Sequence, residues 1–412
     1  MPRLWPAHTG TATIALYLVM TLIMLSCWRL ARHKQALNDR LIIGLGAFAV
    51  LVLAGADPYT THDPERYLWD GAVLAHGYDP YRMSPDNEQV AELRQRWPTP
   101  AEHSAYPTLY PPLALTLFGI ASLAGPTAGL ATWKLMAAAA AVVLLLLMRR
   151  LLAFENRQDA LPLVALSPLI LLEAGVGAHI DIFAAVALVG AMAAYQRQQI
   201  VLTGLAIGVG VGIKLLPLLA LPAFFWHATH KQRWGLLLSA VAATGSIYTL
   251  AILAGLQPVG SLGVFFEKWR FGSPIYTGLA QVVENPLPIA AVGAGVMVLL
   301  GCWRARDDWV DGLTLTLSAP LVFSPVVFPW YLLVLVPLVA LRPRRIVLAW
   351  LAAAPLSYEV LNRFNTDGVW QPAVWPLVTI AVLCLAMAIW SVVAKRVNNN
   401  SITTARPVKF GL

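Results

Sequence analysis

The sequence is short of charge and of cysteine. Of its 412 residues only 12% are Asp, Glu, Lys or Arg, against 58% hydrophobic. A soluble domain carries about 25% charged residues, so the composition excludes one and points to a polytopic membrane protein. Acids are the scarcer sign, 21 against 29 Lys and Arg. The basic excess is no nucleic-acid footprint, because those residues sit in short loops between apolar runs. Cys27, Cys302 and Cys384 lie within or at the ends of apolar segments, with no metal spacing and no disulfide framework. Also missing are a phosphate-binding loop, a dinucleotide fingerprint, a low-complexity tract, a soluble linker and an internal repeat.

What the chain has instead is a series of apolar runs. The first, 11–28, has little positive charge before it and Arg29, Arg32, Lys34 and Arg40 after it. A secretory signal has the reverse order, so this run is expected to be a retained span with its N-terminus outside. Further spans are expected at 41–56, 132–148, 160–177, 180–195, 200–212, 214–227, 235–255, 286–303, 310–323, 330–341, 346–361 and 373–394. That is an all-α membrane fold with about thirteen transmembrane helices. Several runs fall short of the roughly 20 residues a spanning helix needs, so they must be tilted, broken or buried in protein. Pro111–Leu123 is shorter still, and is expected to form an interfacial or re-entrant helix on the outer side. With this threading, the inner loops take 19 of the 29 Lys and Arg but only 6 of the 21 acids. Residues 1–394 are expected to form one transmembrane domain, with 57–130 as a large outer loop. Residues 395–412 are expected to be a disordered inner tail.

The outer loop opens with Thr61-His62-Asp63-Pro64-Glu65-Arg66-Tyr67-Leu68-Trp69-Asp70-Gly71. Asp-Pro is a helix-start signal. On the helix expected over 64–76, Asp63, Arg66, Tyr67 and Asp70 share one face. Asp63 can be an N-cap or a general base; capping would lower its pKa and weaken it as a base. Arg66 can neutralise one of the acids.

Three other stretches carry ionisable residues at awkward depths. Glu173 to Asp181 sits between two spans; it reads as a hairpin turn, as polar substrate contact through His179 and Asp181, or as part of a metal set. A metal site needs three or four ligands with oriented supports, and no metal is expected. Lys214 lies between two short apolar halves, where it can bind a phosphate or snorkel. Trp269 and Arg270 follow Glu267-Lys268 in another outer loop. Pro329-Trp330-Tyr331 is a broken turn, either an aromatic interfacial anchor or a substrate lining.

An acid in the first large outer loop, a Pro-Pro helix after it and a Lys–Pro hairpin further on resemble the GT-C glycosyltransferase superfamily. The motifs around Asp63, Asp79-Pro80-Tyr81, Tyr110-Pro111-Pro112, His179-x-Asp181, Lys214 and Pro329-Trp330-Tyr331 are similar to bacterial polyprenol-phosphate-mannose-dependent mannosyltransferases. They are more distantly similar to the eukaryotic enzyme that adds the first mannose of GPI anchors. The likeness covers about 57–335.

The resemblance implies a membrane enzyme of the bacterial inner membrane, with its active site on the extracytoplasmic face and no cofactor. Its partners would be a polyprenyl-phosphate sugar, usually mannose, and a lipid or glycan acceptor in the membrane's lipids. Asp63 takes the place of the family's loop acid, the proposed catalytic base. Many relatives carry two adjacent acids there; this chain has His62-Asp63. Lys214, then Arg270 and His179, are the cations expected for the leaving phosphate. Tyr67, Trp69, Trp269, Trp330 and Tyr331 are aromatics expected to stack on sugar or isoprenyl units. The competing class is a transporter or lipid-linked sugar flippase, which tends to show an internal repeat and a midplane site.

Overall fold

The computed structural model describes residues 6–33 and 38–404. They form an all-α polytopic membrane protein; among them there is no strand, only a bridge between Phe271 and Val326. Among the described residues six helices are long and apolar enough to cross a membrane: Thr9–Arg32, Gly125–Phe154, Gln158–Gly175, His230–Leu253, Leu287–Ala305 and Trp375–Ala394. The expected count of thirteen is therefore not reached by length alone, because the other apolar runs form shorter or broken helices.

Proline accounts for most of the breaks. Pro162, Pro168, Pro217, Pro329, Pro337 and Pro355 each stand in the first turn of a new short helix. Proline lacks the N–H of an interior position but suits a first turn, so each ends one segment and starts another. The irregular backbone this creates is tolerable only inside protein. The Gln158–Gly175 segment is accordingly 83% buried, whereas the unbroken Trp375–Ala394 is 6% buried. Outward residues of the continuous helices, such as Leu22, Phe48 and Leu253, form an apolar belt, exposed by 65%, 68% and 77%.

Some boundaries differ from expectation. The helix expected from 132 starts at Gly125 and runs 30 residues to Phe154. The Pro112–Ser122 helix before it has 11 residues and rises only about 16 Å, half the hydrocarbon thickness. The last helix extends to Thr404, so residues 395–404 of the expected disordered tail are helical; 405–412 lie outside the described residues.

Two close approaches set the geometry around the 57–130 segment. In the glycine-rich helix Ile200–Ile213, Gly204 and Gly208 face the backbone of Leu236 and Ala240 in His230–Leu253, the small-residue contact by which membrane helices approach. Gly71 of the helix Asp63–Ala75 lies against the Phe118 carbonyl of Pro112–Ser122. Beside it the rings of Tyr67 and Phe118 stack at 4.5 Å, and Trp133 meets both edge-on. A methyl at Gly71 would collide with that carbonyl, whereas one at Gly44 meets nothing within 4 Å. Overpacking a tight contact costs about 1–3 kcal/mol. Gly71→Ala should therefore lower the unfolding temperature in detergent, with Gly44→Ala unchanged or slightly stabilised; equal behaviour would contradict this packing.

Candidate active site

Asp63 is the first residue of its helix, and His62 takes the capping position without a side-chain hydrogen bond. The Asp63 N–H is satisfied by Thr61 Oγ1 at 3.0 Å. The carboxylate is therefore not spent on capping. Its Oδ2 accepts from the Tyr67 hydroxyl at 3.2 Å and lies 3.3 Å from His179 Nδ1. With 21% of its side chain exposed, it faces a cavity of about 720 Å³. Burial pushes the Asp63 carboxyl up in pKa. The His179 contact and charge, then His103 and the Tyr67 hydroxyl, outweigh burial and hold it below the usual carboxylate value. Asp63 is thus ionised at neutral pH.

The other two helix positions make a support. Arg66 Nε donates to Asp70 Oδ1 at 3.0 Å, one turn on, and Arg66 Nη1 donates to the His103 carbonyl at 3.1 Å. Asp70 is fully buried. The pair thereby pins the 101–103 turn over the helix. The His103 ring lies tilted against Trp269 at 5.4 Å, and burial pushes His103 down in pKa despite its acidic neighbours. Trp269 itself is held by the next residues, where Phe271 exchanges backbone hydrogen bonds with Pro325 and Val327.

On the opposite wall, Ile200–Ile213 ends at Lys214, whose backbone is extended. Lys214 Nζ donates to Asp181 Oδ1 at 2.5 Å and sits 4.0 Å over the Tyr331 ring. Pro217 folds back against Gly210. The cavity continues from there as an apolar groove, lined by Leu215, Leu218 and Leu219, by Leu287 and Ala294, and by Leu321.

The structure gathers Asp63, Arg66, Tyr67, Asp181, Lys214, Trp269, Trp330 and Tyr331 around one cavity. It does not bring Arg270 there. Arg270 Nη1 donates to the Phe266 and Trp269 carbonyls and its guanidinium lies 5.1 Å over Tyr276, so one of the donors expected for a phosphate is turned to backbone. His179 and Trp69 are fully buried and belong to the site's support. The His179 ring stacks on Trp330 at 3.9 Å and 10°.

Sequence reading passed over His103 and Lys134. Lys134 is buried in Gly125–Phe154, donating to the carbonyls of Ala56 and Val176, and next to it Trp133 Nε1 donates to Ala178 O at 2.8 Å. Both therefore fix the turn that carries His179. A lone charge in an apolar run was the available signal.

A family model described as alpha-(1->6)-mannopyranosyltransferase, N-terminal domain, matches residues 3–230. Alpha-(1->6)-mannopyranosyltransferase A of Mycobacterium tuberculosis is 24% identical over 437 residues, covering 94% of this chain and 82% of that protein. A polyprenol-phosphate-mannose-dependent alpha-(1-2)-phosphatidylinositol pentamannoside mannosyltransferase of Mycolicibacterium smegmatis is 28% identical over 194 residues. That match covers 41% of this chain and 47% of that protein. No solved structure matches the chain.

The Asp181 side chain is 1% exposed and Lys214 22%. Removing one partner of a buried ion pair costs about 3–5 kcal/mol, because the other charge is stranded. Lys214→Ala should therefore destabilise the protein at the lower end of that range. Asp181→Asn added to it should recover most of the loss in thermal unfolding. No loss in the single variant would contradict the pairing.

Proposed function

The chain belongs to the alpha-(1->6)-mannopyranosyltransferase family, and on that premise we propose that it transfers mannose from a polyprenyl-phosphate donor to a lipid or glycan acceptor on the outer face of the membrane. The observation that carries the reading is one cavity holding an ionised Asp63 and Lys214 beside an aliphatic groove. A polyprenyl chain is confined to the bilayer, so its phosphate must be met at the membrane surface. The groove of leucines and alanines offers the chain an apolar lining, and Lys214 stands at its upper end.

The step is a single displacement. The acceptor hydroxyl attacks the anomeric carbon, its proton passes to Asp63, and the bond from that carbon to the phosphate oxygen breaks with the electron pair going to the phosphate. One displacement implies inversion. Asp63 is a weak base, which suits a late proton transfer, after bonding to carbon has made the hydroxyl acidic. The two Asp63 contacts fall on Oδ2, leaving Oδ1 for the acceptor. Lys214 neutralises the charge that grows on the leaving phosphate; to do so it shares its ammonium between phosphate and Asp181. His103 and Trp269, at the outer rim, offer ring faces to a sugar.

The test is transfer by the purified protein from polyprenyl-phosphate mannose, comparing wild type with Asp63→Asn. Loss of a general base costs about 10²–10⁴ in rate. Asp63 makes no capping bond but pairs with His179, so the Asn variant should still express and fold, with an unfolding temperature lowered by the lost pair, while turnover falls in that range. A variant retaining more than about a tenth of wild-type turnover, well above that range, removes Asp63 from the role of base.

A further inference from the structure

The transfer just described uses Asp63 and Lys214 but leaves one buried carboxylate without a task. Glu173, in the last turn of Pro168–Gly175, is 1% exposed. Its Oε1 accepts from two phenols, Tyr17 of Thr9–Arg32 and, at 2.5 Å, Tyr358 of the turn Ala354–Val360. Its Oε2 lies 3.3 Å from His179 Nε2, while His179 Nδ1 lies 3.3 Å from Asp63 Oδ2. A line of buried groups therefore runs from both ends of the chain to the proposed base.

The local backbone is built for this line. The His179 N–H donates to the Glu173 carbonyl at 2.9 Å, and Ala178 between them has a φ of 48°. At Gly177 a side chain would meet the His179 ring at 2.7 Å and Glu173 Oε2 at 3.3 Å, so glycine is what lets the carboxylate and the ring approach.

Each ring nitrogen of His179 lies 3.3 Å from a carboxylate oxygen, at ion-pair distance, and neither has a hydrogen-bond partner of its own. A neutral imidazole has one N–H and would turn its other nitrogen's lone pair towards an anion; only the imidazolium suits both sides. The stacked face of Trp330 favours a cation as well. We propose that Glu173 is a positioning residue for mannosyl transfer: it holds His179 as an imidazolium between two carboxylates, and His179 in turn keeps Asp63 ionised with its open oxygen towards the acceptor. The inference rests on Asp63 being the base.

His179 lies in the turn outside the spanning helices. Burial works against its charge, but contact with Asp63 and Glu173 prevails and raises its pKa to about 9. The surrounding charges are mostly paired among themselves: Asp181 with Lys214, Asp70 with Arg66, and Glu102 with His62. His103, pushed down by burial, is the remaining imidazole near Asp63. The phenols of Tyr59, Tyr67, Tyr110 and Tyr331 complete the surroundings. Glu173 is therefore the group whose loss leaves His179 with one counter-charge in place of two.

Two measurements test this. In nitrogen-15 histidine spectra of the protein in nanodiscs, with His179→Gln identifying the signal, His179 should be an imidazolium at pH 7.5 and neutral in Glu173→Gln. A neutral ring in the wild type overturns the proposal, whether or not the donor is the one assigned above. In the transfer assay, Glu173→Gln should lower kcat by about 10–100-fold, as losing a supporting partner does elsewhere, with the donor KM within about twofold. Asp63 then protonates more readily, so the acid limb of kcat/KM should move up by about one pH unit. A slower variant with an unmoved acid limb makes Glu173 structural only and overturns the proposal. If Glu173→Gln does not accumulate, Tyr358→Phe should move the limb the same way by less, because it raises the cost of charge on Glu173; an unmoved limb there is equally contrary. A wild type that transfers nothing counts against the donor assignment, and the histidine spectrum still decides the role of Glu173.

Discussion

A charge withdrawn from water in an apolar protein persists only when its partners are withdrawn with it. That requirement organises the end of this molecule that carries the cavity. Asp63, His179 and Glu173 form a line in which a cation sits between two anions, with the phenols of Tyr17 and Tyr358 on the outer oxygen of Glu173 and that of Tyr67 on the Asp63 oxygen that faces His179. Asp181 and Lys214 form a second pair across the cavity, and Arg66 with Asp70 a third beneath it. The first two sets draw together segments distant in sequence, whereas Arg66 and Asp70 pair one turn apart on one helix, so satisfying the charges of the line and of the Lys214 pair also closes the site.

The helices are cut to allow this. A continuous membrane helix presents only side chains to its neighbours, since its backbone groups are consumed within it. Where a segment ends beside the cavity, carbonyls become free to hold a side chain. Lys134 uses those of Ala56 and Val176, Trp133 that of Ala178, and Arg66 that of His103. The longer helices at the periphery remain unbroken and present leucine, valine and phenylalanine outwards. Regular segments face the lipid and irregular ones surround the cavity, as the physics of the bilayer dictates.

Hydropathy alone located most of the helices. The runs 11–28, 235–255 and 286–303 are helices at Thr9–Arg32, His230–Leu253 and Leu287–Ala305. The start of a helix at Asp63, and the one-turn spacing of Arg66 and Asp70, were also legible, because both are local effects. Span counting was less secure, since a broken helix buried in protein and a true crossing have the same apolar composition. Within the site, what was hidden is what depends on long separations. Tyr17 and Tyr358 reach Glu173 across 156 and 185 residues, and no local pattern announces that. His103 and Arg270 show the converse: basic residues in outer loops look equivalent in sequence, yet one lines the cavity and the other is turned to backbone carbonyls.

The central claim is that the base, the phosphate cation and the lipid groove belong to one site. A structure with a non-transferable polyprenyl-phosphate mannose analogue tests it most directly. The account predicts the phosphate within hydrogen-bond distance of Lys214 Nζ, the anomeric carbon facing the open oxygen of Asp63, and the prenyl chain along Leu215–Leu219 and Leu287–Ala294. A phosphate bound away from Lys214, or a prenyl chain leaving by another face with Asp63 remote from the sugar, would contradict it.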